Sequence, residues 1–355
     1  MLSACIVISL SGCAADKGSA DEGNNISKDT ADVPTDSTGG GQSITDLEQP
    51  ASTDTQISVP ADSEPAQESE NQPAVPDTQD EAAVPDSRSL YEQFLDNEVS
   101  ATVSSSYPDP DYIDDIVQKG NSYTLTELGQ RVSEYFLNPE YTDKTSYDFI
   151  QYAYVDCPDS AADDRNLLVK FAGLNIYTQD DDSYAVFVVT EDSGQLYLTY
   201  EYQCWARSVT TANANGILSS FGSGGAGDHY DGLSAILSDG TNANLYDAEI
   251  LSGWWTSYVN DTIYSEVFGP ETDPGSFTVS IYTIDNDKYY LYDISECTEE
   301  EKGLCESYIA RCKEEQGINW STEEEIQAAI KNRCSTLGID SEITEQQQEA
   351  AWNSL

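Results

Sequence analysis

The aromatic residues of this chain occupy only one part of it, and this limits which part can fold. All 36 Phe, Trp and Tyr residues lie after position 90, whereas seven of the 13 prolines lie between Pro34 and Pro85. Residues 14–88 hold 17 acidic and three basic side chains among mostly small, polar ones. Burying so little apolar surface cannot offset the roughly 1–2 kcal/mol per residue that ordering a backbone costs. We therefore predict a disordered acidic linker over residues 13–88 and a folded region after it.

The first residues predict an export signal. Leu2–Leu10 is an apolar run, far shorter than the roughly 20 residues that a membrane-spanning helix needs. Residues 10–13 read LSGC and resemble the lipobox of bacterial lipoproteins, which implies cleavage after residue 12 and a diacylglyceryl group on Cys13. No basic residue precedes the apolar run, so we expect the true start to lie upstream. The resemblance predicts a protein anchored by lipid to the extracytoplasmic face of the cell membrane.

The charge of the folded region excludes one class of partner. Residues 89–355 carry 48 acidic and 12 basic side chains. Such a negative field repels phosphate backbones, so we expect no nucleic-acid partner. Cations, basic proteins and neutral sugars stay open as partners.

The pattern of apolar residues predicts strands flanked by helices. From residue 150 to 294, apolar and polar residues alternate in short runs separated by turns rich in Asp, Asn and Gly, which is typical of an antiparallel meander. The alternation in residues 195–202 puts four residues on one face: Leu196, Leu198, Tyr200 and Tyr202. Capping-box sequences predict helix starts on both sides of this region: Ser89, Thr124, Thr298, Ser321 and Thr344.

These patterns predict an α+β fold. Residues 89–297 form an antiparallel β-meander with N-terminal helices in this interpretation. Residues 298–355 form a C-terminal helical hairpin or three-helix cap, which either packs on the sheet or stands alone.

Four segments carry a resemblance to a family. Tyr91–Leu95, Tyr152–Cys157, Trp205–Ser208 and Ser223–Ala226 resemble corresponding segments of lipobox-bearing surface lipoproteins of clostridial anaerobes. The resemblance covers roughly residues 89–260. It implies a location at the cell surface and brings no particular activity.

The same family offers candidate metal ligands. Its members often carry an Asp-Gly-x-x-Glu-Leu stretch, similar to calcium-associated turns, after the Tyr-Val-Asp-Cys strand. This chain has residues 156–164 at that place, without the Gly or the Glu-Leu, which leaves Asp156, Asp159 and Asp163 as the candidate calcium ligands. We favour solvated turn residues over a calcium site, because no acidic run has the spacing of a calcium-binding loop. No other cofactor is expected.

Three tryptophans are the candidate ligand-binding residues. Trp205, Trp254 and Trp255 could stack on sugar rings or peptides, because flat amphipathic rings bind through their faces. Core packing in an antiparallel sheet is the competing interpretation. We expect Trp254 and Trp255 to lie in a strand, with one side chain inward and the other outward.

Catalytic candidates are few. His229 is the only histidine, and a Ser223, His229 and Asp231 arrangement can be imagined within a Gly-rich segment. That segment has neither the strand-turn-helix setting of a nucleophile elbow nor the Lys of a phosphate loop, so we favour a plain loop and assign no catalytic residue. A glycosidase pair of carboxylates cannot be singled out among 65 acidic residues.

Six cysteines follow the linker and are the disulfide candidates: Cys157, Cys204, Cys297, Cys305, Cys312 and Cys334. Export would permit disulfides, but their pairing cannot be deduced from the sequence. No two of them have C-x-x-C spacing, which argues against a zinc site.

The function that these features favour is a non-catalytic ligand-binding or protein-contact module at the cell surface. Its partner would be a cell-wall glycan, a peptide or a protein. The alternative is a cell-wall or glycan hydrolase that uses a pair of acidic residues.

The lipobox generates a first prediction. We expect Cys13→Ala to release the protein from membranes into the medium, or to leave it unprocessed, because the thiol is the acylation site. Cell fractionation with immunoblotting measures this, using the upstream start codon if there is one. Membrane retention of the variant at the wild-type level would contradict the prediction.

Overall fold

The computed structural model describes residues 88–108, 116–137, 139, 142–160, 164–175, 183–269, 272–346 and 348–355. All of these lie in one unit of the chain, Glu81–Leu355. Cys13, the predicted linker up to residue 87 and Asp163 lie outside the described residues.

Helices and strands alternate unevenly along the described chain. The helices are α1 Leu90–Leu95, α2 Leu125–Phe136, α3 Asp261–Phe268, α4 Glu299–Gln316 and α5 Glu323–Thr336, with 3-10 helices at Gly253–Tyr258 and Ser341–Glu345. The strands are β1 Ala101–Val103, β2 Ser122–Tyr123, β3 Phe149–Asp156, β4 Arg165–Ala172, β5 Tyr184–Asp192, β6 Gln195–Cys204, β7 Ser208–Ala212, β8 Ile217–Ser223, β9 Asp228–Ile236, β10 Asn242–Ser252, β11 Thr278–Ile284, β12 Asp287–Asp293 and β13 Asn353–Ser354.

The strands form two sheets. Sheet I has the order β13-β3-β4-β5-β6-β1-β2, and only its β1–β6 pair is parallel among the strands described. Sheet II is an antiparallel meander with the order β12-β11-β10-β9-β8-β7. The predicted α+β class with antiparallel strands is therefore confirmed, but the strands divide between two sheets.

A β-bulge at Thr199 divides the apolar residues of β6 between the two faces of sheet I. Val188 pairs with Tyr200, whereas the next residue, Val189, pairs with Leu198, so Thr199 has no residue opposite it. Residues on the two sides of a bulge no longer follow simple alternation. The prediction of one shared face is wrong: Leu196 and Leu198 contact the core under the N-terminal helices, and Tyr200 and Tyr202 contact the core between the sheets.

Sheet I is buried on both faces. α1 and α2 cover one face, where Phe94 and Leu128 pack against Phe171 and Phe187. The other face packs against one end of sheet II, where Val186 belongs to the same apolar cluster as Leu218 and Ile236. Each such fully buried side chain contributes roughly 1.5–3 kcal/mol to stability.

Sheet II carries the two long C-terminal helices on separate cores. α4 packs with α3 around Tyr308, Phe277 and Val279. α5 packs through Ile326 and Ile330 on the core that contains Ile217, Ala235 and Leu245. The two helices therefore share cores with the sheet, and they do not form the predicted hairpin.

Capping boxes begin the helices largely where the sequence predicts them. The side chains of Ser89, Thr124 and Thr298 each accept a hydrogen bond from the backbone N–H three residues on, and the Glu at that position accepts one in return. α5 differs by one residue, since Thr322 rather than Ser321 forms its box with the Glu three residues on. The helix start predicted at Thr344 is wrong, because Thr344 lies near the end of the short 3-10 helix Ser341–Glu345, whose N-cap is Asp340.

No helix in the described ranges combines the length and the apolar character that crossing a membrane requires.

Tyr308 generates a prediction about the core around α4. Its hydroxyl is buried and donates to the Thr256 backbone carbonyl at 2.9 Å. Tyr308→Phe removes this buried hydrogen bond, although the Val259 backbone N–H still donates to that carbonyl at 3.1 Å, so we expect the free energy of unfolding to fall by about 1 kcal/mol. Urea unfolding measures this, with Tyr292→Phe as the matched control because Tyr292 is exposed. Equal losses in the two variants would contradict the assigned hydrogen bond.

Candidate functional site

A cavity of about 530 Å³ lies on one face of sheet II. Directly paired residues of an antiparallel ladder share a face, so the pairing register identifies its floor as two rows of side chains that cross the sheet. The first row is Ser208, Gly222, Tyr230, Glu249 and Ile281, and the second is Ser220, Gly232, Asp247, Thr283 and Lys288. Trp205 and Arg207 line it from the turn between the sheets.

Two glycines, Gly222 and Gly232, leave the middle of this floor without side chains. A Cβ at Gly222 would lie 3.3 Å from the Arg207 carbonyl oxygen, and one at Gly232 would lie 3.2 Å from Oδ1 of Asp247. Both contacts are tighter than ordinary van der Waals distances. Neighbouring rows on the same face are filled by the core between the two sheets and by the core under α4, so the cavity is the part of this face that no described element covers.

Two carboxylates, Asp247 and Glu249, lie on the floor of the cavity. Burial raises the pKa of Glu249, the charge of Asp228 raises it further, and Lys288 lowers it in part. Tyr230 pairs directly with Glu249, and its pKa is also raised. Burial is the larger cause, and the negative charge of Asp228 is the next. Protons are therefore held more tightly here than on ordinary side chains.

An exposed aromatic cluster, which we call the aromatic platform, consists of Trp254, Trp255 and Tyr258. The ring centroids of the two tryptophans are 4.4 Å apart, and that of Tyr258 lies 5.4 Å from that of Trp255. Trp254 is 49% exposed and Tyr258 is 64% exposed. Large rings grouped at the surface are typical of binding sites, whereas single exposed apolar residues are common.

The loop Ser223–Gly227, here named the glycine loop, joins the platform to the cavity. A Cβ at Gly225 or Gly227 would lie 2.9 or 2.7 Å from atoms of the Trp255 ring, so only glycine allows the ring this close. Gly224, one residue earlier, lines the cavity. The glycine loop therefore contacts the platform through Gly225 and Gly227 and the cavity through Gly224.

The predicted ligand-binding tryptophans lie on this surface. Trp205 lines the cavity, and Trp254 and Trp255 form the platform. The expectation of a strand with opposed side chains is wrong for this pair, because residues 253–258 form a 3-10 helix and both rings join one cluster. Trp255 is the more buried of the two.

The cavity residues Tyr230, Gly232 and Glu249 were not singled out by the sequence. Alternation in Asp228-Tyr230-Gly232 was the available signal, since it places polar or small side chains on one face of a strand. It does not show whether another element covers that face.

Ser223, His229 and Asp231 share the opposite face of sheet II. The Ser223 hydroxyl donates to the Gly225 carbonyl, and Asp231 accepts from the Tyr246 hydroxyl. Nδ1 of His229 has no hydrogen-bond partner among the residues described. The three side chains therefore lack the relay of hydrogen bonds that a catalytic triad uses.

The two candidate calcium ligands that the structure describes, Asp156 and Asp159, each have a partner within the protein. Asp156 pairs with Arg165 at 2.8 Å, and Asp159 accepts hydrogen bonds from the backbone and hydroxyl of Ser238. No group of three or more His, Cys, Asp or Glu residues suited to a metal occurs in the part of the chain that the structure describes.

The six cysteines of the folded region are buried free thiols. Burial is the main cause that raises the pKa of each, to about 12 for Cys157 and Cys305. The thiols of Cys297 and Cys305 are within hydrogen-bond contact of each other. Cys334 lies in a different core from Cys305 and Cys312.

Comparisons with known proteins return nothing similar: no family model, no curated protein and no solved structure matches the chain.

The platform geometry predicts unequal effects on stability. Trp255→Ala removes a half-buried ring from the glycine loop, so we expect the free energy of unfolding to fall by about 2–3 kcal/mol. Trp254→Ala removes a more exposed ring, and we expect a loss below about 1 kcal/mol. Urea unfolding of the two single variants measures both. A larger loss in the Trp254 variant would contradict this account of the platform.

Proposed function

We propose that this chain is a lipid-anchored, extracytoplasmic glycan-binding protein whose ligand lies across the aromatic platform and the cavity. The observation that carries this proposal is the continuity of the two through the glycine loop. A flat aromatic surface beside a groove with polar side chains suits a ligand that has apolar ring faces and many hydroxyl groups.

The platform supplies the contacts to sugar faces. The exposed rings of Trp254 and Tyr258 offer broad apolar surfaces. Each side chain has only two torsion angles, so it loses little conformational entropy when it is ordered by a ligand. A sugar ring that stacks there would cover apolar surface that is in water when the site is empty.

The cavity supplies the polar contacts. Its volume of about 530 Å³ falls within the range typical of small-molecule sites. Asp247 and Glu249 accept hydrogen bonds from hydroxyl groups, and Lys288 and Arg207 at the edges donate them.

The proposed location rests on the sequence. The lipobox-like residues 10–13 and the resemblance of four segments to clostridial surface lipoproteins are the grounds for proposing an anchor in the cell membrane. The excess of acidic residues disfavours anionic polymers. We therefore favour neutral or cationic cell-wall glycans over other partners; a peptide is the competing ligand class.

A hydrolase is the second candidate function, and one observation favours it. Glu249 has a raised pKa, as a general acid requires, and Asp247 lies two residues away on the same face of β10. Residues at that spacing in a strand are roughly 6.5–7 Å apart at Cα, which is compatible with the carboxylate separations of glycosidases.

Binding of glycans by the full chain tests the proposal. We expect oligosaccharide fragments of cell walls to change tryptophan fluorescence, and Trp254→Ala to weaken binding by about tenfold or more because it removes stacking surface. Phe149→Ala is the matched control, since it removes an exposed aromatic ring from sheet I.

Four results of this experiment separate the alternatives. Equal weakening by Phe149→Ala, or no binding of any glycan, would overturn the proposal. Tight binding of peptides alone would replace glycan by peptide. Shortened oligosaccharides in mass spectra, absent with Glu249→Gln, would establish the hydrolase instead.

A further inference from the structure

Asp228, beside the cavity, is a buried carboxylate with one oxygen unused. The residue is 8% exposed, and its Oδ2 accepts a hydrogen bond from the Tyr230 hydroxyl at 3.2 Å. Its Oδ1 is buried and has no hydrogen-bond partner within the described residues. An ionised oxygen buried without a donor is costly, so a donor supplied by a ligand would stabilise this carboxylate.

The direction of Asp228 follows from its strand. It lies two residues before Tyr230 on β9, so both side chains point to the cavity face of sheet II. A Cβ added to Gly224, which lines the cavity, would lie 2.3 Å from Oδ2 of Asp228 and 3.3 Å from the Tyr230 hydroxyl. The carboxylate therefore lies at the junction of the cavity and the glycine loop.

A second carboxylate lies beside it. Glu249 pairs directly with Tyr230, and the charge of Asp228 acts on it unfavourably. Neither Asp228 nor Glu249 belongs to any salt bridge found between residues that the structure describes. Lys288 is the cation that opposes this repulsion, and its effect is the smallest of the three on Glu249.

We propose that Asp228 and Glu249 form a subsite for a protonated primary amine, so that the glycan bound here contains amino sugars with free amino groups. This inference rests on the proposed function and names its ligand class. An ammonium group has three N–H donors and no acceptor, which matches a subsite that offers carboxylate oxygens.

The surroundings favour an ammonium group over the other donors. A sugar hydroxyl would satisfy Oδ1 of Asp228 but would leave the repulsion between two carboxylates unrelieved. An N-acetyl group carries no charge and adds a carbonyl acceptor. Two carboxylates fall short of the oxygen ligands that calcium takes. The rings of Tyr230 and Tyr258, which lie near enough to influence each other electrostatically, also offer faces to a cation.

A pair of matched oligosaccharides tests the subsite in the full chain. The probes are a β-1,4-linked glucosamine tetramer, at a pH where its amines are protonated, and the same tetramer fully N-acetylated. We expect the free-amine tetramer to bind at least about tenfold more tightly in titration calorimetry, the factor that a charge-assisted hydrogen bond can supply.

Isosteric variants assign the preference to the two carboxylates. We expect Asp228→Asn to remove most of the preference for the free-amine tetramer and Glu249→Gln to reduce it, so that the ratio of the two affinities falls in both variants, whatever each variant does to the affinity for the N-acetylated tetramer. Asp156→Asn is the control, because it removes an exposed carboxylate from sheet I. Thermal melts verify folding, and Glu249→Gln carries the test alone if Asp228→Asn does not fold.

The outcomes distinguish the amine subsite from the proposal of glycan binding on which it rests. Equal affinity for both tetramers, each weakened by Trp254→Ala, would overturn the amine subsite and leave glycan binding intact. A preference that survives both carboxylate variants would overturn it as well. Failure of both tetramers and of all other glycans to bind would overturn the two together. Tighter binding of a lysine-containing peptide than of either tetramer would overturn the glycan as the source of the amine.

Discussion

The pairing register of β9 with β8 and β10 is the constraint on which the cavity depends. Side chains of a strand alternate between faces, so the register decides whether Tyr230 and Glu249 meet in the cavity or turn toward α5. A shift by one residue would exchange the two faces. It would expose the apolar residues under α5 and bury carboxylates, and both changes oppose folding.

A β-bulge in β10 is the second feature on which the cavity depends. The β9–β10 pairing shifts between Asn244 and Tyr246, so Leu245 is the extra residue, and it is buried under α5. Simple alternation from Asn244 would place Asp247 and Glu249 on the α5 face. The bulge moves them to the cavity face, which agrees with the tendency of bulges to re-aim side chains near functional sites.

Glycine and tryptophan together connect the cavity to the surface beyond it. Because Gly225 and Gly227 carry no side chains, the Trp255 ring lies directly on the glycine loop and holds it against the 3-10 helix. The loop in turn places Gly224 beside Asp228. Packing of Trp255 on the loop therefore supports the position of Gly224 beside Asp228.

Local rules in the sequence determined the helix starts, the tight turns and the antiparallel character of the strands, because caps, positive backbone angles and alternation act over a few residues. Asp285 and Asn286, for example, have the positive φ angles that their Asp-Asn turn predicts. Only the tertiary structure decided the two bulges, the division into two sheets and the separation of α4 from α5. Those outcomes depend on which distant segment packs on which face of a sheet. The local pattern of apolar residues does not show which segment that will be. Trp254 and Trp255 could be proposed as ligand contacts from their chemistry alone, whereas Asp228, Tyr230 and Glu249 could be proposed as a site only once the pairing of β9 with β10 had brought them onto one face.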